Sequence, residues 1–442
     1  MRNKFLILLL LIVALMITAC GGGEAPVVET EAEAPAETEA EAPAEEEAEA
    51  PAEEEAEAPA EEMADAPEAI NVGAVVSLTG PFAGGGAQIE RGYQMAVEDI
   101  NAAGGIYVEE YDAQIPLEIT LLDDESDPNT TVSHLETLNS DQEVVAYLGG
   151  FSSTMNAAAA AIAEKNQIPY LGVAFALQSP HDQGLRYLFS PFPKSPDLSD
   201  AMFEMVNAYT TEENRPTRVA IFQEQTDWGI ELGGLWQESA DKFGYEVVVY
   251  EEYAPGTTDY TDLILKAQEA EANMVLALPT PPDGFTLYKQ MGELGYSPDF
   301  SFMVRAADVP TWRDLGTVGD YVVLAPGWHS AMTYPGVEEL NARHVEMMER
   351  PADPMVGPAY SLIQILADSI ERAGTLDREA VRDAIAATDM TAMIGPVTFR
   401  EDGTGVVVAP FLQYQEGNIE LVWPQEFATA DLVVPAPPFD ER

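Results

Sequence analysis

From Ile70 onward the chain alternates short, nearly continuous apolar runs with longer stretches in which apolar residues recur every three or four positions. Short apolar runs bounded by turn residues are the pattern of strands buried on both faces. They predict strands over Asn71–Val76, Leu117–Asp123, Val144–Gly149, Val219–Gln223, Glu246–Glu251, Met274–Leu278 and Tyr321–Leu324. The intervening stretches have helical period. Ile89, Tyr93, Ala96, Val97 and Ile100 share one face of a helix predicted from Gly86 to Ala102, which Gly104-Gly105 ends. Ala359, Leu362, Ile363, Leu366 and Ile370 form one stripe of a second, from Gly357 to Ala373. Near the end, Val406–Tyr414 and Ile419–Trp423 read as a closing strand pair around the turn Glu416-Gly417-Asn418.

Strands alternating with helices predict an α/β protein in which mainly parallel sheets are covered on both faces. The chain has 442 residues, more than the roughly 250 to 300 at which single cores stop growing. The alternation is long enough for two doubly wound lobes.

The first 67 residues follow neither pattern. Met1-Arg2-Asn3-Lys4 is basic, Phe5 to Ile17 is apolar, and Thr18-Ala19 precedes Cys20. A basic head, an apolar stretch short of the ~20 residues a span needs, and small residues before a cut site make residues 1–19 a secretion signal. The other reading is an uncleaved membrane helix. Residues 24–67 are almost wholly Glu, Ala and Pro, with prolines at 35, 43, 51 and 59. Proline every eight residues interrupts a helix and like charges extend what remains, so residues 20–67 cannot build a core. They read as a disordered, semi-stiff tether, or as low-complexity sequence without a specific role.

Charge and cysteine content exclude several classes. With 77 Asp and Glu against 20 Lys and Arg, the net charge is -57, which opposes nucleic-acid binding because phosphate neutralisation needs clustered cations. It is compatible with a salty habitat, since salt screens self-repulsion. The single cysteine excludes intramolecular disulfides and thiolate metal clusters. The four histidines, at 134, 181, 329 and 344, have no metal-ligand spacing, and no nucleophile elbow or phosphate loop is present. Asp123-Asp124-Glu125-Ser126-Asp127 does not match a calcium loop and reads as a solvated turn. Neither an enzyme, a metal nor a cofactor is expected.

Candidate binding residues sit where predicted strands end. Ser77 to Gly86 is a small, flexible loop around Phe82, and Gly149-Gly150-Phe151-Ser152-Ser153-Thr154 leads into an alanine-rich helix. Hydroxyls and free N–H groups there suit an anionic ligand group, or simply cap the helix.

Ile70-Asn71-Val72-Gly73-Ala74-Val75-Val76-Ser77-Leu78-Thr79-Gly80-Pro81-Phe82-Ala83, continuing to Met95-Ala96-Val97-Glu98-Asp99-Ile100-Asn101-Ala102-Ala103-Gly104-Gly105-Ile106, resembles the opening of the leucine/isoleucine/valine-binding family of type I periplasmic binding proteins. Tyr147-Leu148-Gly149-Gly150, Val219-Ala220-Ile221-Phe222 with Asp227-Trp228-Gly229, and Gly395-Pro396-Val397-Thr398-Phe399-Arg400-Glu401-Asp402-Gly403 match the family in order. The resemblance covers residues 70 to 430, and Ile17-Thr18-Ala19-Cys20 resembles a bacterial lipobox, which implies lipidation of Cys20 and anchoring to the outer face of the cell membrane.

The resemblance implies two lobes joined by three crossovers, near Pro191–Lys194, Ala325–His329 and Phe399–Gly403. Residues 70–191 with 328–399 would form one lobe, and 192–327 with 400–442 the other. Hinge closure on a small molecule would present the loaded protein to the permease subunits of an ABC importer. By the same resemblance Ser153 holds a ligand carboxylate, Ala174-Phe175-Ala176 completes that site, and Trp228 covers the ligand from the second lobe; Ser152, beside Ser153 in the loop, is a further candidate. Three positions depart from the amino-acid pattern. Ala176 replaces a frequent threonine, Gly85 a pocket aromatic, and Ala306 falls near the acid expected to grip an α-amino group, for which Asp308 is the candidate replacement. Arg305 could pair with a second carboxylate, and Phe82, Phe151, Phe175, Trp228, Phe285 and Trp328 could line an aromatic pocket. A branched-chain or other small amino acid is the first expectation; a related amide, aromatic acid or dicarboxylate, or a ligand-binding role in a sensor system, is the alternative.

Overall fold

The structure, a computed structural model, describes residues 65–325 and 327–442. The signal expected over residues 1–19, Cys20 and the tether as far as residue 64 lie outside the described residues. The strands, numbered along the chain, begin with β1 (Ile70–Val76), the hairpin β2 (Ile106–Val108) and β3 (Ala113–Ile115), β4 (Leu117–Asp123), β5 (Ala146–Leu148), β6 (Tyr170–Leu171) and β7 (Leu188–Phe189). They continue with β8 (Arg218–Glu224), β9 (Glu246–Tyr253), β10 (Met274–Ala277), β11 (Phe300–Met303) and β12 (Val322–Leu324). β13 (Asp389–Ala392), β14 (Gly395–Phe399), β15 (Gly405–Val406), β16 (Phe411–Gln415) and β17 (Asn418–Trp423) complete the set.

Two sheets organise the molecule as two α/β lobes. The first has the order β4-β1-β5-β6-β7 and is parallel throughout. The second, β17-β16-β12-β11-β10-β8-β9, is parallel from β12 to β9 and ends in the antiparallel pair β16 and β17. The third sheet, β13-β14-β15, is antiparallel. Both main sheets carry helices. Around the first lie α1 (Ala83–Ala102), α2 (Pro128–Asp141) and α3 (Ser153–Asn166); around the second, α4 (Ser195–Tyr209), α5 (Asp227–Phe243), α6 (Thr261–Glu269) and α7 (Pro281–Glu293). The later helices α8 (Val337–Met348), α9 (Val356–Ala373) and α10 (Arg378–Ala386) return to the first lobe, where α9 packs along α1.

This coverage explains the continuous apolar runs. Val219, Ala220, Ile221 and Phe222 of β8 are all fully buried, because neither face of the strand meets water. The α9 stripe is buried in the same way, and the closest helix contact needs a glycine. A Cβ on Gly92 of α1 would lie 2.5 Å from the Val356 carbonyl oxygen and 2.7 Å from the Ala359 Cβ.

Some boundaries differ from expectation. α1 starts three residues early, at Ala83, and the run Val144–Gly149 yields only the three-residue β5. Val406–Tyr414 divides into β15 and β16, with no regular structure from Val407 to Pro410, where Pro410 lacks a donor for a ladder. β6, β7 and β11 were not expected: two to four residues are too few to show a period.

Candidate functional site

In each main sheet the strand order reverses beside the first strand of the lobe: β1 lies between β4 and β5, and β8 between β9 and β10. Crevices at such reversals, beyond the carboxyl ends of the strands, are where open α/β sheets bind ligands. Those ends deliver Ser77 to Phe82 and Phe151 to Ser153 from the first lobe, and Glu224 to Trp228, Thr280 to Asp283 and Arg305 to Asp308 from the second.

The first lobe contributes a helix N-terminus. Asn156 N–H is the first of α3 to reach a helix-type acceptor, the Ser152 carbonyl at 3.2 Å, and the N–H groups of Ser153, Thr154 and Met155 have no acceptor among the described residues. Ser152 has φ 89°, a left-handed conformation that costs a serine energy. Its Oγ is buried without a partner among the described residues. Ser153 Oγ accepts the Leu177 N–H at 3.3 Å, which leaves its own proton to give. Hydroxyls and free N–H groups at a helix start suit an anionic group.

Phe82 ends the loop before α1, with its ring 6.0 Å from that of Phe151. A Cβ on Gly85 would lie 2.2 Å from the Phe151 ring. The glycine thus makes room for an aromatic supplied from the neighbouring loop. The Ala174-Phe175-Ala176 loop works through its carbonyls. Phe175 O accepts Lys194 Nζ at 2.5 Å, and Ala176 O accepts the Ser195 N–H at 2.8 Å and its Oγ at 3.0 Å. The Phe175 ring faces His181, 5.5 Å away, and lies under Lys194. Trp328 is held in the first lobe by Met393 O at 2.9 Å and by contact with Gly357. Phe285 lines an outer groove with Lys289, Asp314 and Phe439.

The second lobe contributes Trp228, Arg305 and Asp308. Trp228 sits in the first turn of α5, capped by Thr226, and donates its Nε1–H to Ser195 Oγ at 3.0 Å. The Arg305 guanidinium is 5.3 Å from the Trp228 ring and 5.2 Å from the Phe82 ring, so it is flanked by an aromatic from each lobe. It also meets Glu224, which the sequence did not single out, at 2.5 Å. Glu224 is fully buried and accepts in addition the Thr280 N–H and the Thr226 hydroxyl, each at 3.1 Å.

Ala306 is fully buried, and a Cβ on Gly284 of α7 would come within 2.2 Å of its own Cβ. That packing leaves no room for an acid at 306. Asp308, two residues on, has Oδ1 buried without a partner among the described residues. Burial pushes its carboxyl well above the usual range, against the pull of Arg305. Its carbonyl accepts Gln88 Nε2 from the first lobe at 2.8 Å. A second inter-lobe clasp, also unforeseen, joins Glu231 of α5 to the backbone of Gln178 and Ser179.

Known proteins share the fold that carries these residues. The family model for periplasmic binding proteins matches residues 69–418. Leu/Ile/Val-binding protein homolog 7 of Brucella abortus is 23% identical over 384 residues, covering 83% of this chain and 94% of that protein. A leucine-binding protein of Thermotoga maritima superposes with a TM-score of 0.72 at 19% identity, over 81% of this chain and 99% of that one. A solute-binding protein of an ABC transporter from R. palustris, solved with benzoate, gives 0.70 at 16% identity over 83% and 99%.

Proposed function

Because the chain belongs to the periplasmic binding protein family, we infer that it is the extracytoplasmic solute-binding component of an ABC importer, tethered through a lipid on Cys20, and that it carries out no chemistry on its ligand. Residues 70–191 with 328–399 and residues 192–327 with 400–442 act as the two jaws. A small amino acid enters the open cleft, and closure is favoured only by a ligand that touches both lobes.

What supports this reading most is a helix N-terminus with Ser153 and the buried, unpartnered Ser152 hydroxyl on one lobe, and on the other Asp308, whose buried Oδ1 has no partner among the described residues. A zwitterion satisfies both. Its carboxylate takes the hydroxyls and N–H groups, and its ammonium lets Asp308 ionise in place. Trp228 and Phe82 exclude water from the closed site.

The reading is tested with the full chain in two steps. Thermal shift with the small-molecule fraction of a bacterial extract asks whether any solute stabilises the folded form; X-ray scattering then asks whether the same solute compacts it. A stabilising solute that leaves the chain no more compact removes the hinge mechanism, and silence of the whole extract removes the solute-binding role. Cys20→Ser should release the protein from the membrane fraction; retention would discard the anchor.

A further inference from the structure

The site holds one charged group that a simple zwitterion leaves idle. Arg305 is almost sealed, with 5% of its side chain exposed. Nε donates to Pro279 O at 3.1 Å and Nη2 to Glu224, whereas Nη1 has no partner among the described residues. Glu224 has no part in ligand capture to spare, since both of its oxygens already accept bonds from Thr280, Thr226 and Arg305. Those bonds fix the guanidinium in one orientation, beside Phe82 and Trp228 and across the closing interface. A buried ion pair is seldom more stable than apolar packing of the same volume. At this place it presents prepaid donors to whatever lies between the lobes.

Building on the solute-binding reading, we propose that Arg305 receives a second acceptor group on the ligand, so that the ligand is an amino acid whose side chain ends in a carboxylate or carboxamide, rather than an apolar branched-chain one. An isobutyl or sec-butyl group pressed against Nη1 would strip its water and return no acceptor. A carboxylate or amide oxygen restores the bond, and Arg suits it because its donors lie in a fixed plane. Glu224 is then a positioning residue. Sites built to hydrogen-bond a substrate group reject analogues lacking it strongly.

Calorimetry on the full chain with L-glutamate, L-glutamine, L-aspartate and L-asparagine against L-leucine, L-isoleucine and L-valine decides the matter. The expected result is that a member of the first set binds on the order of 100-fold tighter than every member of the second. Glutamate against glutamine separates carboxylate from carboxamide, and either as the better ligand supports the inference. Tighter binding of leucine, isoleucine or valine overturns it and leaves the importer role standing. Silence of both sets also overturns it, and the extract experiment above then judges the importer role separately. The double variant Glu224→Gln with Arg305→Met, which removes both charges together, should lose the preference and gain affinity for leucine. An unchanged preference in a variant that melts as the parent does would show that Arg305 only supports the fold.

Discussion

Glu231 of α5 receives the backbone N–H of Gln178 at 2.8 Å on one carboxylate oxygen and that of Ser179 at 3.0 Å on the other. One side chain of the second lobe thus clasps a loop of the first, outside the candidate ligand contacts. Its bonds exist only while the lobes are together, so its energy belongs to closure. Hydrogen bonds to a charged acceptor contribute about 1.5 to 3 kcal/mol, reduced here because Ser179 is exposed. Glu231→Ala should therefore weaken ligand affinity by roughly 5- to 10-fold with little change in unfolding midpoint. Scattering should show the ligand-free chain more open than the parent. Equal affinity with equal compactness would remove Glu231 from the closing mechanism.

Asp308 makes a prediction about protons. Its folded-state pKa is raised, so above the unfolded carboxylate value the folded chain holds a proton that the unfolded chain has lost. Stability contributed by this group is present at low pH and declines as pH rises toward the raised value. Arrival of an ammonium reverses the preference and expels the proton. Titrations in buffers of different ionisation enthalpy, carried out at pH values between the usual carboxylate range and the raised one, should show proton release on binding of an amino acid. Asp308→Asn should abolish the release and cost about 3 kcal/mol of affinity for aminated ligands, because it leaves a buried ammonium unpaired. Ligands bound without proton release would place the ammonium elsewhere.

What the sequence showed of this site, and what it hid, follows from range. Helix α9 was legible because Ala359, Leu362, Ile363, Leu366 and Ile370 repeat at a short period that any packing partner would demand. β1 and β8 were legible as nearly continuous apolar runs, and β4 as a run in which Leu117, Ile119 and Leu121 alternate with Glu118 and Thr120. Phe82, Ser153, Trp228 and Arg305 could be singled out because they stand at strand ends or in family motifs, and the structure brings Phe82, Trp228 and Arg305 together. Glu224 was not legible. An acid after an apolar strand reads as solvated, and its partner Arg305 lies 81 positions away. Glu231 likewise reads as an ordinary helix-surface glutamate. Glu224 meets Arg305 only once the second lobe has folded, Glu231 meets Gln178 and Ser179 only once two lobes face each other, and no local pattern encodes either.

The charge balance gives a prediction that depends on no ligand. Acidic side chains far outnumber basic ones even beyond the acid-rich residues 24–67, so repulsion across the surface opposes compaction, and raising salt from 0.1 to 1 M shortens its reach from ~10 to ~3 Å. The melting temperature of the full chain should rise by about 2 °C over that range in potassium chloride, equivalent to roughly 1 to 2 kcal/mol. A flat or falling melting temperature would mean that ion pairs such as Arg218–Glu246 and Lys242–Asp200, which salt weakens, outweigh the net repulsion.

His181 should make the fold acid-sensitive before most carboxylates titrate. Its ring packs against Phe175, Nδ1 faces the Asp402 carbonyl at 2.9 Å, and Nε2 is buried without a partner among the described residues. Burial, reinforced by the nearby Lys194 cation, lowers its pKa to about 3. The unfolded chain binds a proton near pH 6.5 and the folded chain does not. Stability from this histidine is therefore full above pH 6.5 and is lost as pH falls from 6.5 toward 3, by an amount on the order of a few kcal/mol. Denaturant midpoints measured between pH 7.5 and 4.5 should fall more steeply for the parent than for His181→Gln. Phe175 O and Asp402, which contact His181 or its neighbour Lys194, both adjoin the passage of the chain from β7 to α4 and from β14 to β15, so the loss should begin there. Hydrogen exchange should then show the hydrogen bond from the Ser190 N–H to the Gly403 carbonyl opening ahead of β1 and β8 at pH 5. Parallel midpoint curves for parent and variant would mean that the ring is protonated within the fold, with Nε2 finding an acceptor that the closed packing does not supply.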